Sequence, residues 1–223
     1  MDEASTRQPA AGRSAAKASP RKLTRAEKGK KIKQDLFNAA ARVVGEVGYS
    51  NAQVSRITAA ANVGQGTFYN HFQSRQDLFD QLLPTLGAEL LDFIREKAVN
   101  APNAYEREKR SLVAFFEFLK VKPEFYRILY EAEVFAPKAF EAHVQRIASA
   151  YVRTLERDAA HGDIMPMDRD ALEVLAYTLM GARHYLCMRF ARSDGRASDP
   201  PQWVIDTYMR LFSEGISSRM GKS

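Results

Sequence analysis

Hydrogen-bonding side chains cluster between Gln65 and His71, among apolar anchors. This run offers amide, hydroxyl, phenol and imidazole groups and holds no acidic residue, while Phe68 and Phe72 supply the apolar contacts. An α-helix fits the major groove of double-stranded DNA, where such groups can reach base edges and phosphate oxygens. A face without carboxylates also avoids repulsion by phosphate. The spacing therefore predicts a helix that lies against DNA.

Helical patterns on either side must position this face. An apolar stripe at three- and four-residue steps precedes it and ends at Gly48, a residue suited to closing a helix. Two short helices follow, separated only by residues 62–64, and helices this short need a shared core. Ser74, with Asp77 three residues later, predicts the start of a longer fourth helix. The apolar positions of the first three helices are Ile32, Leu36, Ala39, Ala40, Val43, Val47, Val54, Ile57, Ala61, Phe68 and Phe72.

One run of residues matches a known pattern in both residue type and spacing. The residues that carry the match are Gly48, Tyr49, Val54, Ile57, Ala61, Val63, Gly66, Thr67, Phe68, Tyr69, His71, Phe72, Ser74, Arg75 and Leu78. Together they resemble the helix-turn-helix of the TetR family of transcription regulators, over roughly residues 30 to 80. The resemblance implies an N-terminal three-helix DNA-binding domain and a helical C-terminal domain that binds a ligand and dimerises.

The resemblance also implies roles for individual side chains. Residues expected to contact the DNA backbone are Thr67, Tyr69 and His71. Residues expected near base edges are Gln65, Gly66 and Asn70. Arg75 is expected to bind phosphate from the start of the fourth helix. A cation at a helix N-terminus is unfavourable by about 0.3 to 1 kcal/mol because it opposes the helix dipole, and a phosphate contact would explain an arginine at this position. The alternatives are a surface Arg75 without a partner and a Tyr69 that packs in the core.

Three positions depart from the family pattern. Asn62 stands where the turn commonly has glycine, but asparagine tolerates left-handed backbone geometry. Gly64 replaces a common serine cap of the recognition helix, at a cost of a few tenths of a kcal/mol. Gln53 stands where serine or threonine often caps the second helix. We expect the turn to form and the second helix to lack its cap.

Charge is concentrated at the N-terminus. Residues 1–33 hold ten basic and three acidic residues, a net charge of +7, whereas the whole chain carries +6. We expect residues 1–27 to form a flexible basic arm that meets phosphates, with a minor-groove contact from Arg21 or Arg25. A solubilising tail without a partner is the alternative. The predicted domains are this arm, a DNA-binding domain at 28–80 and an effector-binding and dimerisation domain at 81–223.

The C-terminal part is also helical by pattern, so the predicted fold class is all-α. Prolines near the helix starts place helices at about residues 104–121, 124–134, 137–160, 168–192 and 201–219. The segment is rich in aromatic residues, and polar groups interrupt its apolar runs. An apolar cavity with a few polar groups suits a small molecule. The residues expected to bind a mostly hydrophobic effector, aromatic or acyl in character, are Phe115, Phe118, Tyr151, Tyr177 and His184.

Two apolar stripes on the last two helices predict a dimer interface. Gly181 and Ala182 would allow close approach of helices across a twofold axis. The alternative is that both stripes pack inside one chain. The stripe residues are Leu172, Leu175, Leu179, Leu186 and Phe190 on one helix and Val204, Tyr208, Leu211 and Phe212 on the other.

These patterns predict a homodimeric repressor that binds a roughly palindromic operator in double-stranded DNA and is released by its effector, with half-sites about 34 to 36 Å apart. A single cysteine, Cys187, and no long apolar segment predict a cytoplasmic protein without disulfides or membrane contact. We expect no cofactor, no metal and no catalysis, since no histidine follows a glutamate by three residues. The rivals are an architectural DNA-binding protein and an all-α enzyme.

Overall fold

The computed structural model describes residues 24–193 and 196–215, and these residues are almost entirely helical. The strands among these residues are a short antiparallel pair, β1 (Arg192–Ser193) and β2 (Arg196–Ala197), and loops connect the helices. The predicted all-α class is confirmed. The helices are α1 (Arg25–Asn51), α2 (Val54–Ala60), α3 (Gln65–Tyr69), α4 (Arg75–Ala98), α5 (Ala104–Val121), α6 (Glu124–Phe135), α7 (Pro137–Ala160), α8 (Arg169–Phe190) and α9 (Gln202–Glu214).

Helix α1 begins inside the segment predicted to be an arm. The Thr24 hydroxyl accepts a hydrogen bond from the Glu27 amide at 3.2 Å, and the Glu27 carboxylate accepts one from the Thr24 amide at 2.7 Å. This reciprocal cap satisfies two amides that no helical carbonyl reaches. Arg25 therefore belongs to the helix, and the predicted boundary at residue 27 is too late. The rest of the predicted arm, residues 1–23 with Arg21, lies outside the described residues.

The end of α1 turns at Gly48. Its φ of 78° and ψ of 166° break the helical geometry, and a glycine adopts this conformation without strain. A Cβ there would also lie 2.7 Å from an Arg127 nitrogen of α6. The chain then places Tyr49 in the core, against the rings of Phe79 and Phe135. Gly48 thus interrupts α1 three residues before its last residue, where the sequence predicts the helix to end, and lets α6 pack closely against it.

Helix α4 joins the two halves of the molecule. Ser74 caps it by accepting a hydrogen bond from the Asp77 amide at 3.1 Å, as the sequence predicts. The helix continues across the predicted boundary at residues 80 and 81 without interruption, although Pro84 removes one backbone donor from its interior. Its apolar face packs against α5 and α7. The buried residues of α4 are Leu78, Phe79, Leu82, Leu83, Leu86, Gly87 and Leu90.

Helices α5 to α9 begin within one residue of their predicted starts. Helix α9 ends at Glu214, where Gly215 has a φ of 72°, so the predicted end at residue 219 is too late. One apolar core extends from α1 to α9. No helix among the described residues is long and apolar enough to cross a membrane.

The buried face of α8 and α9 differs from the predicted dimer stripe. Leu172, Leu179, Val204 and Tyr208 are buried within the chain, so the intramolecular alternative is correct for these residues. A different apolar stripe is exposed, because α8 is apolar on more than one side. The exposed apolar residues of these helices are Val174, Tyr177, Tyr185, Met188, Trp203 and Leu211.

Candidate DNA interface and effector cavity

Helix α3 presents the polar face predicted from the sequence. Phe68 and Phe72 are fully buried and anchor the helix against α1, where the Phe72 and Phe37 rings lie 5.3 Å apart. The side chain of Tyr69 is 56% exposed, so it is not a core residue. The other predicted contact residues are also accessible. Gln65, Gly66 and Asn70 are exposed, and Thr67 and His71 are partly exposed.

The turn before α3 forms as predicted. Asn62 has a φ of 53°, the left-handed geometry that its short polar side chain tolerates. Neither Gln53 nor Gly64 provides a side-chain hydrogen bond at the start of α2 or α3. The first amides of both helices are therefore available to an acceptor, and helix N-termini attract phosphate oxygens.

Arg75 lies at the first position of α4, at the edge of this face. Its side chain is exposed, and its guanidinium lies 5.5 Å from the centre of the Phe79 ring. Its one recorded hydrogen bond, to the Ser50 carbonyl oxygen, is long at 3.5 Å. Most of its five donors therefore remain free for another acceptor.

The electrostatic character of the face is positive. No acidic residue occurs between Glu46 and Asp77. The exposed basic residues near the start of α1 are Arg25, Lys28, Lys30 and Lys31. Such a surface attracts a polyanion at long range and favours counterion release on binding.

A large cavity of about 990 Å³ lies in the C-terminal part, between α4, α5, α6, α7 and α8. Its wall is mostly apolar, and six arginines against four acidic residues give it an excess of positive charge. The apolar side chains of the wall are Leu90, Leu91, Ile94, Phe115, Phe125, Leu129, Phe140, Val144, Ile147, Leu155, Met180 and Phe212.

The structure brings four of the five predicted effector residues to this cavity. Phe115, Tyr151, Tyr177 and His184 line it. Phe118 does not; its ring is buried against Phe93 and Phe125, with ring centres 5.8 and 5.3 Å away. Phe118 is therefore a core residue, and the prediction for it is wrong. Burial lowers the pKa of the His184 imidazole below its usual range.

The cavity wall also holds a buried polar cluster, and apart from Tyr151 its members were not predicted from the sequence. The Glu108 carboxylate accepts hydrogen bonds from the hydroxyls of Tyr151 at 2.6 Å and Tyr208 at 2.5 Å, and from Nη2 of Arg183 at 2.7 Å. The Arg183 Nη2 also donates to the Tyr151 oxygen at 2.6 Å. A sequence signal existed for one member. Glu108 occupies an otherwise apolar i, i+4 stripe of α5, between Ala104 and Leu112.

His143 of α7 connects the cavity to α4. It lines the cavity, and its imidazole sits directly on Gly87, where a Cβ would overlap the ring. The Nδ1 atom is buried and has no hydrogen-bond partner in the part of the chain that the structure describes. Burial, helped by the charge of Arg146, lowers the pKa of this imidazole to about 4. His143 is therefore neutral at physiological pH.

Helix α6 holds the end of α1. The guanidinium of Arg127 donates to the carbonyl oxygens of Gly45 and Glu46, at 3.3 and 3.0 Å, and to Glu131 at 2.6 Å. The Glu131 carboxylate in turn accepts a hydrogen bond from the Tyr49 amide at 2.9 Å. These contacts satisfy backbone groups that the helix end leaves unpaired. Because α6 also lines the cavity, one helix contacts both the cavity and the DNA-binding domain.

Comparison with known proteins agrees with this geometry. The model of the family described as bacterial regulatory proteins, tetR family, matches residues 36–82, which include α2, α3 and the start of α4. An uncharacterised HTH-type transcriptional regulator of Bacillus subtilis, YhgD, is 25% identical over 173 residues, covering 76% of this chain and 86% of that protein. This match confirms the resemblance of the helix-turn-helix to that of the TetR family of transcriptional regulators.

Solved structures share the TetR fold over nearly their whole length. A putative TetR-family regulator from Syntrophomonas wolfei superposes with a TM-score of 0.70 at 17% identity, covering 85% of this chain and 98% of that one. The regulator FadR from Bacillus subtilis, solved in complex with stearoyl-CoA, superposes with a TM-score of 0.65 at 17% identity, covering 82% and 99%. These identities establish the fold. With the family-model match and the curated relatives, they support a DNA-binding regulator of transcription, as predicted.

Proposed function

We propose that the chain is a homodimeric repressor, released from a palindromic operator when a lipophilic acyl compound enters the cavity. One observation carries the proposal. The cavity is walled by α4 and α6, the two helices that also contact the DNA-binding domain. A ligand that fits one arrangement of these helices better than another changes the position of α3, and hence the affinity for DNA.

Residues of α3 and Arg75 form the proposed DNA contacts. Thr67, Tyr69 and His71 would donate to phosphate oxygens, and Arg75 would bind phosphate at the edge of the groove. The proposed base contacts come from the exposed α3 residues Gln65, Gly66 and Asn70.

The dimer is proposed to form through the exposed stripe of α8 and α9. The side chain of Tyr185 is 66% exposed, and Gly181, one turn earlier, has nothing within 4 Å of where a Cβ would lie. A twofold axis along this stripe would bury it in a four-helix bundle. The two copies of α3 would then contact half-sites about 34 to 36 Å apart. A regulator of this kind works where the chromosome lies, and we propose that it acts in the cytoplasm.

The proposed effector is an acyl thioester of coenzyme A. The apolar wall suits an acyl chain, while exposed arginines of the wall suit phosphates. Arg146 and Arg153 of α7 form no ion pair with another described residue, so their charge is available. The complex of FadR with stearoyl-CoA supports this chemistry in a protein of the same fold.

The DNA half is tested with the full-length chain and a random duplex library. We expect repeated selection to yield palindromic sites. Gln65→Ala should relax discrimination at one base pair by about 1 to 3 kcal/mol, whereas Tyr69→Phe should weaken binding to all sites alike. Gln145→Ala, an exposed change on α7, is the control. Binding without sequence preference, or variants that behave as the control does, would contradict the proposal.

The effector half is tested by thermal unfolding with decanoyl-CoA, stearoyl-CoA and coenzyme A. An acyl-CoA at 100 times its Kd should stabilise the protein by about 2.7 kcal/mol, which is roughly 5 to 10 °C in Tm. Coenzyme A alone should stabilise it less, because it lacks the acyl chain. Arg153→Gln should weaken acyl-CoA binding about tenfold. No shift with either acyl-CoA would contradict this effector class.

A further inference from the structure

The buried cluster of Glu108, Tyr151, Arg183 and Tyr208 is unusual for a cavity that holds an acyl chain. It joins four helices, α5, α7, α8 and α9, and two of its members are charged while their residues are only 6% and 5% exposed. A buried ion pair with two tyrosines stabilises a fold no better than apolar side chains of the same size. A function in ligand recognition would account for it.

The cluster is electrically neutral as a whole. Burial raises the pKa of the Tyr151 hydroxyl well above its usual range and does the same for Tyr208, so both remain uncharged donors. Burial disfavours the charge of Arg183, but the carboxylate of Glu108 and the two tyrosines outweigh it and raise the pKa of the guanidinium. One positive and one negative charge therefore lie side by side.

Arg183 holds the main unused donors of the cluster. Glu108 already accepts three hydrogen bonds. Arg183 makes both of its side-chain hydrogen bonds through Nη2, and its buried Nε has no partner among the described residues. An unpaired buried donor destabilises the protein, because it has lost its hydrogen bonds to water. A ligand atom that accepts a hydrogen bond from Arg183 would recover part of this cost.

We propose that this cluster is a carbonyl-binding subsite, in which Arg183 donates to the carbonyl oxygen of an uncharged acyl group such as a thioester or ester. This inference rests on the effector proposed above and specifies how its carbonyl group is bound. A free carboxylate also accepts hydrogen bonds, but it would bring a second negative charge next to Glu108 at low dielectric. The subsite therefore selects acyl esters over the free fatty acid of the same chain length.

The test compares decanoyl-CoA, methyl decanoate and decanoate at pH 8, by calorimetric titration of the full-length wild-type protein. We expect methyl decanoate to bind at least ten times more tightly than decanoate. Equal or tighter binding of decanoate would overturn the subsite while leaving the acyl effector in place. Failure of all three compounds to bind would instead refute the proposed effector.

Two variants locate the selectivity in the cluster, with folding checked by circular dichroism. Glu108→Gln removes the negative charge, so decanoate should gain at least tenfold in affinity while methyl decanoate changes less than threefold. Arg183→Met should weaken decanoyl-CoA at least tenfold. If Arg183→Met binds decanoyl-CoA as the wild type does, the subsite is wrong. The wild-type comparison stands even if neither variant folds.

Discussion

His143 should make the protein sensitive to acid over a defined pH range. Its pKa is about 4 in the folded protein, against about 6.5 in an unfolded chain, so protons bind the unfolded state more tightly. Stability is therefore unaffected above about pH 7 and falls as the pH drops from 6.5 towards 4. The linkage relation gives a loss of about 2 kcal/mol at pH 5 and about 3 kcal/mol below pH 4.

The replacement His143→Leu isolates this effect, because leucine has similar volume and does not titrate. Urea unfolding at fixed protein concentration should show the variant gaining about 2 kcal/mol on the wild type between pH 7.5 and pH 5. His161→Gln, a change at an exposed histidine, should follow the wild type. Parallel pH profiles for the wild type and His143→Leu would refute the reasoning.

Three further substitutions test the packing of the regulator. Gly87→Ala should destabilise the protein by roughly 1 to 3 kcal/mol in urea unfolding, since its methyl group would overlap His143. Unchanged stability would show that the His143 side chain can move away from the methyl group without a cost in stability. Glu131→Ala should lower the free energy of unfolding by about 1 to 3 kcal/mol by leaving the buried Tyr49 amide unpaired, and Glu131→Gln should recover most of this loss. Equal losses in the two variants would show that the charge of Glu131 matters and not its hydrogen bond to the amide. Tyr185→Arg should convert the dimer to a monomer in sedimentation equilibrium, and a persistent dimer would place the interface elsewhere.

Local signals in the sequence were enough to predict the helices and the exposed polar face of α3. Capping residues and prolines mark the helix starts because they satisfy or remove particular backbone groups, as Ser74 and Pro137 do. The left-handed backbone of Asn62 was likewise predicted, from its position in the turn between α2 and α3. Phe68 is buried as the apolar pattern predicts, whereas Tyr69 was left open between the exposed face and the core because it lies three residues before Phe72.

Long-range placement could not be predicted from the same signals. Phe115 and Phe118 are both aromatic positions of α5, and only the packing of Phe93 and Phe125 shows that Phe118 is in the core. Helix α8 is apolar on more than one side, so periodicity did not identify its exposed stripe. The polar cluster joins residues far apart in the sequence.

The cavity argues against the alternative function considered from the sequence, that of an architectural DNA-binding protein. Such a protein has no use for an apolar space of about 990 Å³ between the helices that hold its DNA-binding domain. The proposed effector would also give a function to the exposed Arg146 and Arg153 of the wall. The sensing role therefore explains features that DNA binding alone does not.

The most direct test is the affinity of the full-length protein for its selected operator, measured by fluorescence anisotropy with and without saturating decanoyl-CoA at one salt concentration. Ligand-driven release predicts that the Kd for DNA rises at least tenfold, within the usual range of 1 to 3 kcal/mol for coupling between two sites, estimated as about 5- to 150-fold. An unchanged Kd, with decanoyl-CoA binding verified by thermal unfolding of the same sample, would contradict coupling between the cavity and α3.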